Sequence, residues 1–542
     1  MNAQEIIQRY GKLKSIRDGY WLATWREVRR LVYPTASDFL PEGGERGKDV
    51  FNPTAVNSRS RLAAGMYNWM APPDQRWFEL VAEDEELAND DEVKEFFGEV
   101  TKNIRLAMAN SNWPAVLISC LNNLACGLDG IIYCEEDPRR GLNFRCFDPE
   151  EVCYSEDAWG RVDTVYREVK MTPRQMKQYF NTLPDSIAAL AADDKRMDDK
   201  RTILHAVFPR SNRDQRLDDN VNMPYADVYI DLESKLLIKE GGYNEFPFAI
   251  CRFEKAANDT YGRGPGINLL PDIRQLMTME EAYTLARCHQ ADPSYIAPDG
   301  SILSRNFNKD PGSLVIYKPS MNGEKPEMLP TNPNINTLYA DIQEMQQRIE
   351  KGFFLDIFDP LGDLKNMTAA EAQIRNEAKM VPFAPIAGNL HNELFRVVLH
   401  RVFGILSRSG ELPELPEKLL YSPQYKVEFV SKIALSIKKT ETLGLYEAET
   451  IISTYAQRDP SVLDNFNGDD IVRDTFLAHG AAPKWLRPVE ERDQMRQERA
   501  AAQAQQAQQE ALMSGAQVLG NNIGKTPEPG SLLSEVMNGT GV

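Results

Sequence analysis

The chain contains no uninterrupted apolar run long enough to cross a bilayer. Its amino-terminal stretch, MNAQEIIQRYGKLKSIRDGYW, reads as a charged amphipathic helix and not as an export signal. Synthesis inside a cell, with no membrane partner, is the expectation. The seven cysteines, Cys120, Cys126, Cys134, Cys146, Cys153, Cys251 and Cys288, are odd in number and form no CxxC pair. Reduced, mostly buried thiols follow, not a disulfide framework. Histidine is scarce: His205, His289, His391, His400 and His479 make no HExxH or HxxxH. His391 and His400 are nine residues apart, which on a regular helix puts them on opposite faces, so no zinc site is expected. A GxSxG elbow is absent. Acidic pairs such as Asp469-Asp470 abound, but 80 acidic residues make such pairs expected by chance. No catalytic residue, metal ligand or cofactor-binding residue is assigned.

Two stretches come near a phosphate-binding loop. GGERGKD (residues 43–49) and GNNIGKT (520–526) are each one residue short of it, and the second has no strand before it. YGRGPG (261–266) lacks the GxGxxG spacing and reads as a strand-to-helix corner. Basic surface is also lacking, for the net charge is −18 at pH 7. A protein that grips duplex DNA by its phosphates needs the opposite sign. The balance fits a plain acidic protein, or a surface that lies near DNA without clutching it. Arg26, Arg29 and Arg30 on the first helix, and Arg59 and Arg61 on the next, read as surface charge. Lys365 stands apart, because a loop pinned between two long helices projects a single cation.

At 542 residues, 42% hydrophobic and 26% charged, the chain is long enough for two to four lobes. Residues 1 to about 125 show helical spacing, ending in a buried helix, WPAVLISCLNNLACG, that stops at Gly127. From Gly130 to about Met171 the period becomes two, in an antiparallel meander with a turn at Asp157-Ala158-Trp159-Gly160. Thr172 caps a short helix with Pro173 at its first position. Further strands lie in TILHAVFP, ADVYIDLESKLLIKEGG and FPFAICRFEKA.

A helical core follows. Residues 267–289 place Leu269, Ile273, Leu276 and Tyr283 on one face over about 35 Å. Pro271 starts or kinks this helix. An insert to about residue 333 holds two β-like pieces, PSYIAP and SLVIYKP. A second long helix, 335–358, carries the heptad seam Ile335, Leu338, Ile342, Met345, Ile349, Gly352, which suits an intrachain core or a neighbouring copy. Asp359-Pro360 stops it. Thr368 and Glu371 form a capping box that opens a third helix. Its apolar stripe is Ile386, Leu390, Leu394, Val397 and Ile405, and Ser409-Gly410 ends it. YKVEFVS is a strand, residues 489–513 are helical, and the last 29 residues read as a mobile tail.

Several of these pieces, in order, resemble the portal, or head-to-tail connector, proteins of short-tailed, podovirus-type bacteriophages. They are VNSRSRLAAGMYNWMAPPDQRWFEL, NSNWPAVLISCLNNLACGLDGIIYCEED, FRCFDPEEVCYSEDAWGRVDTVYREVKMT, FPFAICRFEKAANDTYGRGPGINLLPDIRQL, and MTAAEAQIRNEAK followed by ELPELPEK. The resemblance covers roughly residues 5 to 480; the Ala/Gln-rich carboxyl end lies outside it. It implies an α+β, mainly helical portal fold: wing (1–260), first stem helix (261–289), clip (290–334), second stem helix (335–358), tunnel loop (359–367), long wing helix (368–410), wing or crown (411–487), crown helix (488–513) and tail (514–542). It further implies a non-enzymatic homo-oligomeric ring, usually a dodecamer, at the portal vertex of the virion, assembled in the host cytoplasm. The ring would serve genome packaging and ejection. Its partners would be the terminase motor, tail adaptor and tail proteins, capsid and scaffolding proteins, and double-stranded DNA bound without sequence preference. Asp363, Lys365 and Asn366 would face that DNA. The competing readings are a carboxylate-metal phosphodiesterase or nuclease, which lacks any ligand spacing, and a scaffold protein that forms no ring.

Overall fold

A computed structural model describes residues 2–36, 47–72, 75–137, 141–180, 182–193, 195–214, 216–217, 219–291, 295–296, 327–328, 335–358, 381–419 and 424–430. Beyond these it describes 452–456, 459, 462, 465, 467–478, 485–487 and 489–520. The chain divides into two compact units, Met1–Thr454 and Tyr455–Val542. The fold is α+β and mainly helical.

Unit one opens with α1 (Ala3–Tyr20) and α2 (Leu22–Val32), separated at Trp21. It continues with α3 (Thr54–Met70), strand β1 (Phe78–Ala82), α4 (Glu85–Asn89), α5 (Asp91–Asn110) and α6 (Trp113–Cys126). Asp90 caps α5 by accepting from the backbone N–H groups of Glu92 and Val93. Gly127 ends α6 in the left-handed region at φ 100°, as its sequence position predicts.

The β-rich middle is two sheets, not one meander. β2 (Gly130–Asp137), β3 (Gly141–Phe147) and β9 (Phe248–Cys251) form an antiparallel sheet ordered β3-β2-β9. β4 (Val152–Glu156), β5 (Val162–Met171), β6 (Arg201–Pro209), β7 (Tyr225–Asp231) and β8 (Leu236–Tyr243) pair in chain order in the second. Both faces of the five-stranded sheet are covered, which is why β6 is buried along most of its length instead of alternating. Leu204, Ala206, Phe208, Val228 and Ile230 pack under Ile6 and Tyr10 of α1. On the opposite face Ile203 and Tyr229 meet α7 (Pro173–Tyr179) and α8 (Asp185–Ala192) through Met176, Phe180 and Ile187. The expected cap of α7 is present. Thr172 Oγ1 accepts from the Gln175 N–H at 3.3 Å, and Gln175 Oε1 accepts from the Thr172 N–H at 2.9 Å.

The YGRGPG stretch is the expected corner. It leads into a single turn, α9 (Pro265–Asn268), and then α10 (Leu270–Ala291). The corner lies directly on the end of α6: a Cβ at Gly266 would stand 2.1 Å from the Cys126 carbonyl oxygen, and one at Gly127 would stand 2.9 Å from the Ile267 nitrogen. In the insert, β10 (Tyr295–Ile296) lies within PSYIAP, but its partner is β11 (Glu327–Met328). SLVIYKP is outside the described residues, as are the Thr368–Glu371 capping box, most of GGERGKD and all but the first residue of GNNIGKT.

The second long helix is shorter than expected. α11 (Ile335–Gly352) ends before Phe353, Phe354 takes a positive φ of 57°, and a separate turn, α12 (Leu355–Phe358), follows. The described part of the third helix is α13 (Ala384–Asn389), a π-helical segment (Leu390–Phe395) and α14 (Arg396–Ser409), ended by Gly410 at φ 74°. β12 (Tyr425–Phe429) is the expected YKVEF strand. It pairs antiparallel with β1, which helical spacing had concealed.

Unit two contains α15 (Gly468–Ala478) and α16 (Val489–Gly520). α16 runs through SGAQVLG, residues 514–520, which the sequence reading placed in the tail. Ala, Gln and Leu hold a helix as far as the glycine at 520.

Gly266→Ala should destabilise unit one by about 3 kcal/mol or prevent folding, since the colliding atom is backbone. Gly98→Ala, on the open face of α5 with nothing within 4 Å, should be neutral or stabilise by up to about 1 kcal/mol. Denaturant unfolding of the two variants checks the contrast.

Candidate functional site

The two helices that the seam pattern singled out form a hairpin, and its two halves differ. Near the root, Ile273, Leu276 and Met277 of α10 and Ile342, Met345 and Ile349 of α11 are buried, with Leu269 partly buried beside them. Gly352 admits Leu269, whose Cδ1 would lie 2.6 Å from any Cβ there. The expected seam thus closes within the chain, against α10 and α3. Polar ties fix the same end: Arg348 pairs with Asp272 at 3.3 Å, Arg274 Nε donates to Glu27 of α2 at 2.6 Å, and Asn52 donates to Glu280 at 3.2 Å. The Arg274 hydrogen bond holds the Glu27 carboxyl below its ordinary range.

Beyond the root, the Tyr283 ring lies 5.9 Å from that of Tyr339. Residues 287–291 are exposed at every position. Leu285 is 54% exposed and Tyr339 49%.

After the hairpin comes the stretch with the three expected site residues. Asp363, Lys365 and Asn366 lie outside the described residues, and Phe358 and Phe383 flank that stretch. Phe353 and Phe383 are fully buried. The rings of Phe358 and Phe383 are 5.6 Å apart, those of Phe354 and Phe383 6.0 Å, and Phe253 and Trp69 close the cluster at 6.3 Å and 6.0 Å. Phe358 and Phe383, one on either side of residues 359–380, therefore meet in one aromatic clamp. Among the described residues, no group of three or more His, Cys, Asp or Glu could hold a metal ion, and no helix is long and apolar enough to cross a membrane.

The chain matches the model of the bacteriophage head to tail connecting protein family over residues 3–486. It belongs to that family. It is 28% identical over 520 residues to the probable portal protein of Bordetella phage BPP-1, covering 94% of this chain and 93% of the relative. It is 27% identical over 559 residues to the portal protein of Salmonella phage epsilon15, covering 99% and 98%. A chain from the virion of a native gene transfer agent particle aligns over 73% of this chain and 86% of its own. Its TM-score of 0.32 and 11% identity are too low to bear on the fold.

In this connector-family chain the hairpin is carried by a charged junction that sequence reading missed. Arg252, after β9, is 3% exposed at its side chain and paired with both Glu156 and Glu393. It also donates to the Thr260 carbonyl at 3.1 Å, and Lys255 meets Glu156 at 2.6 Å. The junction ties β4, β9, the corner before α10 and the π segment together. Asp129 completes it, accepting from Tyr154 Oη at 2.7 Å and from the Gly262 N–H at 2.9 Å. Burial pushes this carboxyl up to about 6, against the pull of those hydrogen bonds.

Three expectations are corrected. Arg29 is on α2 and is 1% exposed, paired with Asp148 and, at 3.8 Å, with Glu150; burial pushes Glu150 up to about 7. Arg59 is buried, with its guanidinium 3.8 Å over the Tyr33 ring and 2.6 Å from Asn122 Oδ1. Both are internal struts, not surface charge. His391 and His400 are not opposed either. His391 stacks on Phe429 at 3.9 Å and His400 accepts from or donates to Tyr425 Oη at 2.8 Å, both on β12. A π turn takes about 4.4 residues, so it rotates the face that a regular helix would present.

Arg252→Met should cost about 3–5 kcal/mol, because two carboxylates lose their buried partner. Adding Glu156→Gln and Glu393→Gln should recover much of that, as read by denaturant unfolding. His391 Nε2 is buried without a hydrogen-bond partner among the described residues, and burial, aided by the Arg396 charge, lowers its pKa to about 4. The folded imidazole stays neutral while the unfolded one takes up a proton below its ordinary value of 6.5, so stability falls as pH drops from 6.5 toward 4. His391→Phe should raise the melting temperature at pH 7.5 and raise it more at pH 5.

Proposed function

We infer that this chain is a portal protein: copies close into a ring at one capsid vertex, and the bore passes genomic DNA during packaging and ejection. The observation that carries this reading is the near end-to-end match to two portal proteins, with the family model spanning residues 3–486. The hairpin supports it, since its distal half exposes Leu285 and Tyr339, apolar surface that neighbouring copies in a ring would cover. The net charge of −18 supports it as well, because an acidic wall repels phosphates and lets duplex slide.

On this reading the regions before residue 261 and from 368 to 410 form the wing. Residues 261–289 and 335–358 form the stem, 290–334 the clip that meets motor and tail proteins, and 488–513 the crown. Residues 359–367 are the tunnel loop, and Asp363, Lys365 and Asn366 touch passing DNA. The protein works as a conduit, without catalysis.

Negative-stain microscopy of the purified protein should show annular particles with a central hole, whereas isolated compact particles at assembly concentrations would remove the proposal. Leu285→Glu with Tyr339→Glu should leave the unfolding midpoint of unassembled chains within about 0.5 kcal/mol of wild type, as exposed sites do, yet sharply reduce the ring fraction. Lys365→Ala and Lys365→Glu phages should package less DNA. Equal packaged length would withdraw the tunnel-loop assignment alone.

A further inference from the structure

The second unit carries a groove whose charge opposes that of the chain as a whole. It has a volume of about 520 Å³ and is lined by Arg473, Arg487, Arg492, Arg496 and Arg499, with Val472, Leu486 and Met495 between them and Asp469 as the one acid among the described lining residues. Helix geometry explains the crowding. Arg492, Met495, Arg496 and Arg499 recur at the three- and four-residue spacing that keeps one face of α16, and that face looks onto Asp469, Val472 and Arg473 of α15.

Among the described residues the groove is only partly neutralised. Asp469 holds Arg492 at 3.0 Å and Arg496 at 2.6 and 2.7 Å, and Arg492 also meets Asp493 at 2.8 Å. Arg487 is 3.9 Å from Glu491, the loosest pair in the group. Arg473 donates to the Arg487 carbonyl at 2.5 Å and so keeps its charge. Trp485, at the rim beside Leu486, is 68% exposed. Among the described residues three carboxylates, Asp469, Glu491 and Asp493, face five arginines, which leaves a surplus of planar, forked donors.

We propose that this groove binds the sugar-phosphate backbone of duplex DNA. Guanidiniums meet phosphate oxygens two at a time, which suits a row of arginines to a row of phosphates. From Arg492 to Arg499 the row spans about 10 Å of helix, close to the axial length of three phosphates on one strand. The assignment rests on the portal reading, in which the chain lives beside packaged genome. It adds a fixed contact in the second unit, far in sequence from the tunnel loop.

The test is fluorescence anisotropy of a labelled 30-base-pair duplex with full-length assembled protein across a potassium chloride series. The variant Arg473→Gln/Arg487→Gln/Arg499→Gln keeps the Asp469 pairs and therefore the α15–α16 contact. It should bind roughly tenfold or more weakly at low salt, with a log affinity against log salt slope shallower by about 2–3. The lysine version of the same triple change should keep most of the slope and lose affinity only a few-fold, and it serves as the second variant should the glutamine form fail to assemble. Wild type that does not bind the duplex, a glutamine or lysine variant with wild-type affinity and slope, or tighter binding to an acidic peptide of equal charge would each overturn the groove as a DNA site. Rings seen in the same samples would leave the portal reading intact, and absence of wild-type rings would remove that reading instead.

Discussion

Everything distal in unit one depends on how closely one backbone approaches another where α6 ends. The Cys126 carbonyl and the 264–267 turn are near enough that no side chain fits between them at Gly266. That contact sets where α10 starts and in which direction it points, because only three residues separate Gly266 from Leu270. A helix of 22 residues magnifies any error at its root, since each residue adds about 1.5 Å of lever. The Arg252 junction stiffens the same corner from the other side, joining Glu156, Thr260 and Glu393 around one guanidinium. Tight packing and a buried charge network thus act on one short stretch, and the hairpin inherits their rigidity.

How much of this was legible in the sequence follows from the range of the interactions. Features written in neighbouring residues could be read: the Thr172 cap, the helix ends at Gly127 and Gly410, the turn at Asp157-Ala158-Trp159-Gly160, and the seam of Ile342, Met345 and Ile349. Features that depend on residues far apart could not. β1 looks like part of a helical region until Phe78 is set opposite Phe429. The strands from 130 to 171 share one period, and nothing local says that β3 and β4 belong to different sheets. The break at Phe353 and Phe354 is driven by the aromatic cluster around Phe383, assembled from segments about a hundred residues apart at Phe253 and beyond. The π turn carries no residue signature, yet it decides which way Glu393 and His391 face. Of the candidate site, the hairpin and its seam were legible, while Asp363, Lys365 and Asn366 rest on resemblance and on the clamp formed by their flanks.

Charge has three separate uses in this chain, and net charge reports only one of them. Arg29, Arg59 and Arg252 are buried and held by carboxylates, an amide or an aromatic face. They fix geometry and contribute almost nothing to the field outside. The acidic excess of the sequence acts at long range, where salt screens it within about 8 Å. The arginines between α15 and α16 act only at contact. A groove with surplus guanidiniums set in an acidic protein attracts a polyanion weakly from afar and firmly on touch. Such a balance makes binding reversible and strongly salt-dependent. For a conduit that must not seize its cargo, a short-range grip inside a long-range repulsion lets a strand be held in passing without being trapped.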